Sequence, residues 1–326
     1  MKPTVVSTFA GCGGSSLGYQ MAGFKELLAI EWDNNAVETF KFNFPDVPVY
    51  HGDICKLTGE ECMKLAGIER GKLDVLDGSP PCQGFSTAGK RKFSDPRNSL
   101  FMEFARLLND LQPKVFVMEN VTGMVKGYMK QAYLQIIKTL RECGYRAKGE
   151  VMNAMYFNVP QSRERVIIIG VREDIGIKPS HPKPQGKPIT FRQAINGCED
   201  ESGKELGEFL LKFSKIQPEN LWSSHPGLWK KHKGNLASSL STKWISWDLC
   251  CGTLIKQWVA ITGVVHPDRK RYISLGEAKR ITSFPDNFNF VGSFSDAIER
   301  MGNSVPPNLM RAIAEHIKIN ILEKTQ

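Results

Sequence analysis

The sequence predicts an α/β fold, in which a doubly wound, mostly parallel sheet is joined to a smaller irregular domain. From residue 4 to about residue 171, short β-branched runs alternate with amphipathic stretches. Apolar strands separated by helices are typical of a parallel sheet that is covered on both faces. The alternation fades after the proline-rich segment 178–184, which has the composition of a linker. With 326 residues and 41% hydrophobic content, the chain is long enough for two domains and too apolar for a disordered protein.

The elements of the first domain follow from the residue pattern. The predicted strands are Thr4–Ala10, Glu26–Ile30, Asp74–Leu76, Lys114–Met118 and Arg165–Val171. The predicted helices are Ser16–Met21, Asn35–Asn43, Ser99–Leu111 and Gln131–Cys143, and helical periodicity returns at Glu277–Ser283, Asp296–Met301 and Asn308–Leu322. We therefore assign residues 1–180 and 276–326 to one discontinuous domain, and residues 181–275 to a second.

The charge of the chain is concentrated in the second domain. The whole sequence has 43 lysines and arginines against 34 acidic residues, a formal charge of +9, which favours a polyanionic partner without deciding it. Residues 181–275 hold 14 of the basic and 8 of the acidic residues, a net of +6, together with five of the six tryptophans. A basic, aromatic-rich and irregular region suits a nucleic-acid surface. Tryptophans that fill the thin core of a small domain would give the same composition.

The cysteines and apolar runs exclude several classes of protein. Eight cysteines without a CxxC pair predict neither a zinc site nor a disulfide framework, and they are typical of reduced cytoplasmic thiols. The longest apolar runs, such as residues 166–169, are far too short to span a membrane, and no signal-peptide-like run follows the first residues. We expect a cytoplasmic protein with no metal and no membrane segment.

The ends of the first three strands carry residues that suit a nucleotide-like ligand. The first strand leads through Phe9 into a turn containing Gly11 and Gly13, which lets the backbone approach a ligand at a helix N-terminus. Glu31 follows Gly11 by about 20 residues, where a carboxylate can bind ribose hydroxyls. At the same edge, Trp32 can lie against an adenine ring, and the segment Asp53–Ile54 can meet its amino group. Because no Walker lysine pattern is present, a triphosphate is disfavoured.

The fourth strand is followed by a cysteine in an unusual setting. Cys82 lies between Pro80-Pro81 and Gly84, so that the chain presents it at the carboxyl edge of the sheet. Most cysteines are structural and buried, but one in such a loop is a poor core residue and a good candidate for a thiolate nucleophile. Glu119 ends the next strand. Arg163 and Arg165 lie two residues apart on an extended segment and are expected to point the same way, as a donor pair.

Seven segments in order resemble the DNA (cytosine-5) methyltransferases of bacterial restriction–modification systems. These are FAGCGG, EWD, GDI, GSPPCQGFS, MENV, QSRER and GNSVPP, and the resemblance covers nearly the whole chain. It implies a Rossmann-like catalytic domain that binds S-adenosylmethionine, with residues 181–275 as the target-recognition domain. Ser274 stands where the family pattern has threonine, and Cys12 where it often has leucine or alanine.

The resemblance also implies a role for each candidate residue. Cys82 would attack C6 of a flipped-out cytosine, Glu119 would bind N3 and the amino group, Arg165 would hold O2, and Arg163 would support the site. The implied contacts of S-adenosylmethionine, and of its product S-adenosylhomocysteine, are Phe9, Gly11, Gly13, Glu31, Trp32, Asp53, Ile54, Pro80 and Asn303. The residue that removes the C5 proton cannot be assigned from the sequence.

The expected partner is double-stranded DNA, bound by a monomer. The expected DNA contacts are Ser86, Lys90 and Arg91 in the loop after Cys82, and Ser241, Thr242, Lys243 and Thr253 in the recognition region. A cognate restriction endonuclease would be a partner in function. Three other interpretations stay open at this point: an RNA-directed cytosine-5 methyltransferase on the same scaffold, a DNA-binding module without activity, and a small-molecule thiol enzyme.

Overall fold

The computed structural model describes residues 2–81, 99–125, 130–200, 202–208, 211, 243–256, 264–268 and 270–325. The chain divides into two compact units. The first comprises Met1–Asn153, Glu164–Pro184 and Pro307–Gln326, and the second comprises Ala154–Arg163 and Gln185–Pro306. Among the residues just given, no helix is long and apolar enough to cross a membrane.

The first unit is built on one seven-stranded sheet. The strands of the chain are β1 (Thr4–Thr8), β2 (Lys25–Glu31), β3 (Val49–His51), β4 (Val75–Gly78), β5 (Val115–Val121), β6 (Tyr145–Asn153), β7 (Gln161–Ser162), β8 (Glu164–Arg172), β9 (Lys243–Trp244), β10 (Cys251–Gly252) and β11 (Val264–Val265). The sheet has the order β3-β2-β1-β4-β5-β8-β6, and all pairs are parallel except those made by β8. The predicted doubly wound, mostly parallel sheet is confirmed.

The strand order creates a crevice at one edge of this sheet. The chain winds outward from β1 to β3 on one side and from β4 to β5 on the other. Because the direction of the strand order changes between β1 and β4, an opening is left beyond the carboxyl ends of these two strands. Ligands of α/β sheets bind in such openings. The residues that follow β1 and β4 are therefore those with access to a ligand.

The helices connect the strands largely where the periodicity predicts them. They are α1 (Gly14–Met21), α2 (Asn34–Asn43), α3 (Gly59–Ala66), α4 (Ser99–Leu111), α5 (Lys130–Glu142), α6 (Phe191–Ala194), α7 (Leu275–Ile281), α8 (Phe294–Asn303) and α9 (Pro307–Asn320). The core of the first unit contains fully buried Phe104 from α4 and Phe116 from β5. Their rings meet edge to face with centroids 6.0 Å apart, a favoured aromatic geometry. This packing fixes α4 against the centre of the sheet.

The second unit has short strands and a charged cluster. Among its described residues, the second unit has two short parallel strand pairs, β7–β10 and β9–β11. Trp244 is buried in a small core with Leu206, Val265 and Tyr272. For Trp244, the structure therefore agrees with the alternative that tryptophans fill the core of the small domain. Trp222, Trp229 and Trp258 lie outside the described residues.

A buried carboxylate holds α7 to the rest of the second unit. Glu277 receives two hydrogen bonds of 2.9 Å from Arg271, and the Nε2 atom of His266 lies 3.3 Å from it. Burial alone would raise the pKa of Glu277, but the hydrogen bonds from His266 and Arg271 lower it to about 2. Arg280 of α7 donates to the backbone oxygen of Asn196 over 2.7 Å.

These contacts explain where the packing boundary falls. Residues 276–306 pack with the second unit and residues 307–326 with the first, whereas the sequence predicts a boundary at residue 275. The difference arises because α7 is bonded to Asn196, His266 and Arg271, which all lie within residues 181–275. The predicted functional division, with residues 181–275 alone as the target-recognition domain, stays a prediction.

Candidate active site

The turn after β1 has a backbone that favours glycine. Phe9, Gly11 and Gly13 have φ angles of 53°, 57° and 95°, in the left-handed region that glycine adopts without steric cost. A Cβ atom on Gly13 would lie 2.4 Å from the Phe44 ring, whereas one on Gly11 would meet nothing within 4 Å. The backbone at Gly11 therefore faces open space, and Gly13 begins α1 as its N-cap.

Glu31 ties the end of β2 to this turn. One carboxylate oxygen accepts the N–H of Gly11 at 2.7 Å, and the other accepts those of Trp32 and Asp33 at 2.9 and 3.0 Å. The residue is 8% exposed. A carboxylate has about four lone-pair sites, so three backbone bonds leave room for one ribose hydroxyl. The predicted ribose contact stays a prediction, and the bond to Gly11 is a role that the sequence did not reveal.

The next two predicted cofactor residues lie beside Glu31. The Gly52 N–H donates to the Glu31 backbone oxygen at 3.0 Å, which brings the ends of β2 and β3 together. The Trp32 side chain is 76% exposed. Asp53 is exposed, and the hydrogen bond from the Cys55 N–H lowers its pKa and keeps it an ionised acceptor. Ile54 is buried.

These four features fit the adenosine part of S-adenosylmethionine and the aliphatic chain that adjoins it. An open backbone turn, a fixed carboxylate, an exposed aromatic face and an ionised acceptor match its aliphatic chain, ribose, purine ring and amino group in turn. The fit is a matter of donor and acceptor types, and all of these residues lie in the first unit.

Two buried carboxyl groups beneath the turn were missed by sequence reasoning. Burial and the neighbouring charge of Glu26 together raise the pKa of Asp77 to about 8, and Tyr19 donates to Asp77 at 3.3 Å. Burial likewise raises the pKa of Glu26 to about 7. The available signal was an acidic residue next to the apolar run of each strand, Glu26 before residues 27–30 and Asp77 after residues 75–76. Both groups are buried, and the bond from Tyr19 ties Asp77 to α1, the helix that follows the turn.

The segment that leads to Cys82 is anchored by an asparagine. Pro80 is buried, and its backbone oxygen accepts a 2.9 Å hydrogen bond from the Asn120 side chain of β5. Asn120 stands in the MENV segment and is not among the predicted site residues. Cys82 itself lies outside the described residues, as do the predicted DNA contacts Ser86, Lys90 and Arg91.

Glu119 and Arg165 form an ion pair at the same edge. Their Oε1 and Nε atoms are 2.8 Å apart, and the side chains are 9% and 14% exposed. The pairing of β5 with β8 explains the contact, because Arg165 lies opposite Val121 in the antiparallel register and Glu119 is its diagonal neighbour on the same face. The structure thus brings these two predicted residues together, one strand away from β4, the strand that precedes Cys82 in the sequence.

Arg163 has a different environment from Arg165. It lies between β7 and β8, where the strand alternation is interrupted, and it belongs to the second unit. Its side chain is buried and donates to the Leu254 backbone oxygen at 3.4 Å. The expected donor pair is therefore divided between two sets of partners. A catalytic role for Arg163 stays a prediction.

The remaining predicted residues lie in the second unit or outside the described residues. The Thr253 hydroxyl donates to the Ser162 backbone oxygen at 2.8 Å, which fixes the β7–β10 connection. Lys243 begins β9, and Ser241 and Thr242 are outside the described residues. Asn303 is exposed at the end of α8. Within the described part of the chain, no group of three or more histidine, cysteine or acidic residues could hold a metal ion.

Comparison with known proteins identifies the family. The model of the C-5 cytosine-specific DNA methylases matches residues 3–319. The chain belongs to this family. It is 34% identical to the Type II methyltransferase M1.HphI of Haemophilus parahaemolyticus, over 99% of this chain and 89% of that protein. It is 31% identical to M.XorII of Xanthomonas oryzae, over 100% and 87%.

Solved structures agree with this assignment. A crystal structure described as a DNA modification methyltransferase encoded within a prophage of Escherichia coli has a TM-score of 0.77 at 26% identity, covering 99% of this chain and all of that one. The Entamoeba histolytica methyltransferase EhMeth, at 16% identity and a TM-score of 0.74, shares the fold and covers 100% of this chain and 99% of that one.

The family settles the class of reaction and of substrate. The predicted DNA (cytosine-5) methyltransferase is confirmed, and DNA is favoured over RNA. As a methyltransferase of this family, the enzyme uses S-adenosylmethionine. Its relatives are methyltransferases of restriction–modification systems.

Proposed function

We propose that this enzyme methylates C5 of a cytosine flipped out of a specific sequence in duplex DNA, through a covalent bond between the Cys82 Sγ and C6. The observation that carries the proposal is the Glu119–Arg165 pair, 2.8 Å apart at the end of β5. It lies next to β4, whose following segment, anchored by Asn120, leads to Cys82. A nucleophile, an acid and a cation at one sheet edge are the groups that this chemistry requires.

The covalent step follows from the weak nucleophilicity of C5. When the thiolate of Cys82 adds to C6, the C5=C6 π electrons become available at C5, and negative charge spreads to N3 and O2. Glu119 stabilises N3 and the amino group, and Arg165 donates to O2. Arg163 is proposed to support the charge balance of the site. The 2.8 Å ion pair orients Glu119 before the base arrives.

Methyl transfer and release complete the reaction. Bound S-adenosylmethionine supplies an electrophilic methyl group, and the electron pair of its S–CH3 bond stays with S-adenosylhomocysteine. C5 forms the new C–C bond. A base then takes the C5 proton, the C5=C6 bond re-forms, and Cys82 leaves as a thiolate.

The cofactor is proposed to bind across the ends of β1 to β4. The turn from Phe9 to Gly13 would face its aliphatic part, Glu31 its ribose, and Trp32 and Ile54 its adenine. Asp53 would accept from the adenine amino group. Pro80 and Asn303 complete the proposed set.

DNA recognition is proposed for residues 181–275 together with the loop after Cys82. Flipping a cytosine costs a few kcal/mol, and the excess of basic residues in this region favours phosphate contacts that offset the cost. Ser86, Lys90, Arg91, Ser241, Thr242, Lys243 and Thr253 are the proposed contacts. We further propose a monomer that works in the cytoplasm and protects DNA against a cognate endonuclease, as the restriction–modification relatives suggest.

The decisive experiment captures the covalent intermediate. A pool of duplexes containing 5-fluorocytosine is incubated with enzyme and S-adenosylmethionine, because fluorine at C5 cannot leave as a proton does. We expect an adduct stable to denaturation with the wild type and with the matched control Cys143→Ser, and none with Cys82→Ser. An adduct in Cys82→Ser, or capture of a single-stranded RNA pool instead of DNA, would refute the proposal.

A further inference from the structure

Arg106 of α4 bonds to the backbone of the segment that is proposed to hold adenine. Its Nη2 atom donates to the backbone oxygens of Ile54 and Leu57, at 3.2 and 2.8 Å. Two carbonyl acceptors on one nitrogen fix both the position and the direction of that peptide segment. Both partners are in the first unit.

The guanidinium is itself held in place by acidic residues of its own helix. Its Nε lies 2.7 Å from Glu103, and its Nη1 lies 3.4 Å from Asp110. These are the spacings i,i+3 and i,i+4 that bring side chains together on one face of a helix. The planar fork of arginine can serve these acids and the carbonyls at the same time, which a lysine cannot do in one geometry.

The bonded segment has a shape that needs support at both ends. Asp53 caps a short 3-10 helix, Ile54–Lys56, by accepting the Cys55 N–H at 3.0 Å. At the other end, the carbonyl of the C-cap residue Leu57 accepts from Arg106, which also donates to the Ile54 oxygen that the Leu57 N–H bonds at 3.2 Å. The side chains of Ile54 and Leu57 are buried in the core. Arg106 thus completes the support of the loop that carries Asp53 on its exposed side.

We propose that Arg106 is a positioning residue for the adenine end of S-adenosylmethionine, acting through the Asp53–Leu57 backbone without touching the cofactor. The proposal rests on the proposed cofactor site at the ends of β2 and β3. In this proposal α4, which packs on the sheet through Phe104, also supports the proposed cofactor site through Arg106. Without Arg106, Asp53 and Ile54 lose the orientation in which they meet the purine.

Arg70 provides a matched control. It also donates to two backbone oxygens, those of Asp110 and Asn109, at 3.1 and 3.2 Å. These carbonyls belong to the last turn of α4 and not to the Asp53–Leu57 segment, so Arg70 makes the same kind of contact without bonding that segment. If cofactor binding weakens through the general loss of an arginine–carbonyl contact, Arg70→Ala and Arg106→Ala will both show it. If it weakens through loss of adenine positioning, only Arg106→Ala will show it.

The test is calorimetric titration of the full-length protein with S-adenosylhomocysteine. We expect Arg106→Ala to weaken binding about tenfold, since a hydrogen bond from a charged donor typically contributes at least this ratio. Arg106→Lys should restore part of the affinity, and Arg70→Ala should stay within about twofold of the wild type. In the double variant with Asp53→Ala, the losses should not add, because both residues orient one loop.

The outcomes separate this proposal from the cofactor site on which it depends. If Glu31→Ala weakens binding and Arg106→Ala, folded by circular dichroism, does not, the role of Arg106 is wrong and the cofactor site stands. If neither variant weakens binding, both are wrong. If Arg106→Ala does not fold, the decision falls to Arg106→Lys, for which wild-type affinity for S-adenosylhomocysteine overturns the proposal.

Discussion

Replacing Trp32 by alanine tests the proposed adenine site most directly. An aromatic side chain that is 76% exposed beside a buried strand end has little effect on stability, so its removal should leave the fold intact. If the indole covers one face of the purine, its removal should instead reduce the affinity for S-adenosylmethionine.

The size of the effect follows from the exposed area. At 76% exposure, a tryptophan presents about 150 Å² to solvent, of which a stacked ring covers about half. At about 25 cal/mol/Å², that area contributes about 2 kcal/mol, which corresponds to a roughly 30-fold change in Kd. Trp32→Phe keeps a flat ring and should lose roughly threefold to fivefold.

The assay is equilibrium binding of S-adenosylmethionine, with Phe42→Ala as the control. Phe42 is an aromatic residue of α2 that is 62% exposed, so its removal reproduces the loss of an exposed ring without the proposed contact. The wild type and Phe42→Ala should bind alike. Binding by Trp32→Ala within twofold of the wild type would show that adenine does not lie on this ring.

Three further predictions concern the ion pairs and the packing of α1. Glu277, whose pKa is lowered from 4.5 to about 2, should contribute roughly 3 kcal/mol at neutral pH, lost as the pH falls from about 5 to about 2. In Glu277→Gln, denaturant unfolding followed by tryptophan fluorescence should show a flatter dependence over that range, and an unchanged slope would contradict the assignment. Gly18→Ala should destabilise the protein by about 2 kcal/mol in the same measurement, because the added Cβ would lie 2.6 Å from the backbone of α9. The control is Gly123→Ala, whose added Cβ meets nothing within 4 Å and should leave the stability unchanged. Arg165→Ala should reduce kcat by at least tenfold with little change in the Kd for S-adenosylmethionine. In the double variant with Glu119→Gln, kcat should fall by much less than the product of the two single losses. A fall equal to that product would mean that the two residues act separately.

The sequence predicted the central elements because their burial leaves a clear pattern. β5 is buried at six of its seven positions, and its apolar run is easily recognised. The helix predicted at Ser99–Leu111 has the same bounds in the structure, since an apolar stripe repeats through it. β6 was missed. It lies at the edge of the sheet, and its first four positions alternate between buried and exposed, with charged residues at the exposed ones. Such a strand lacks the apolar content that makes buried strands visible.

The candidate site was predictable where it depends on strand ends, and not where it depends on long-range bonds. Glu31 and Asp53 follow parallel strands, whose carboxyl ends must share an edge. The partner of Arg163 could not be predicted, because Leu254 is remote in sequence and the two meet only through the β7–β10 pairing. The same holds for the bond between Asn120 and the Pro80 carbonyl.

Residues 307–326, which return to the first unit, have a structural role at the carboxyl end of the sheet, because α9 supports α1. α1 begins at the glycine turn, so its position determines where the turn meets a ligand. The face of α1 that carries Gly18 packs so closely on α9 that a single added carbon would meet the Met310 Cβ and the Pro307 backbone oxygen, both at 2.6 Å. α1 has eight residues, too few for a helix to be stable by its own propensity. It depends on α9 for a packing surface. The C-terminal helix α9 therefore helps to hold the glycine turn of residues 9–13 in place.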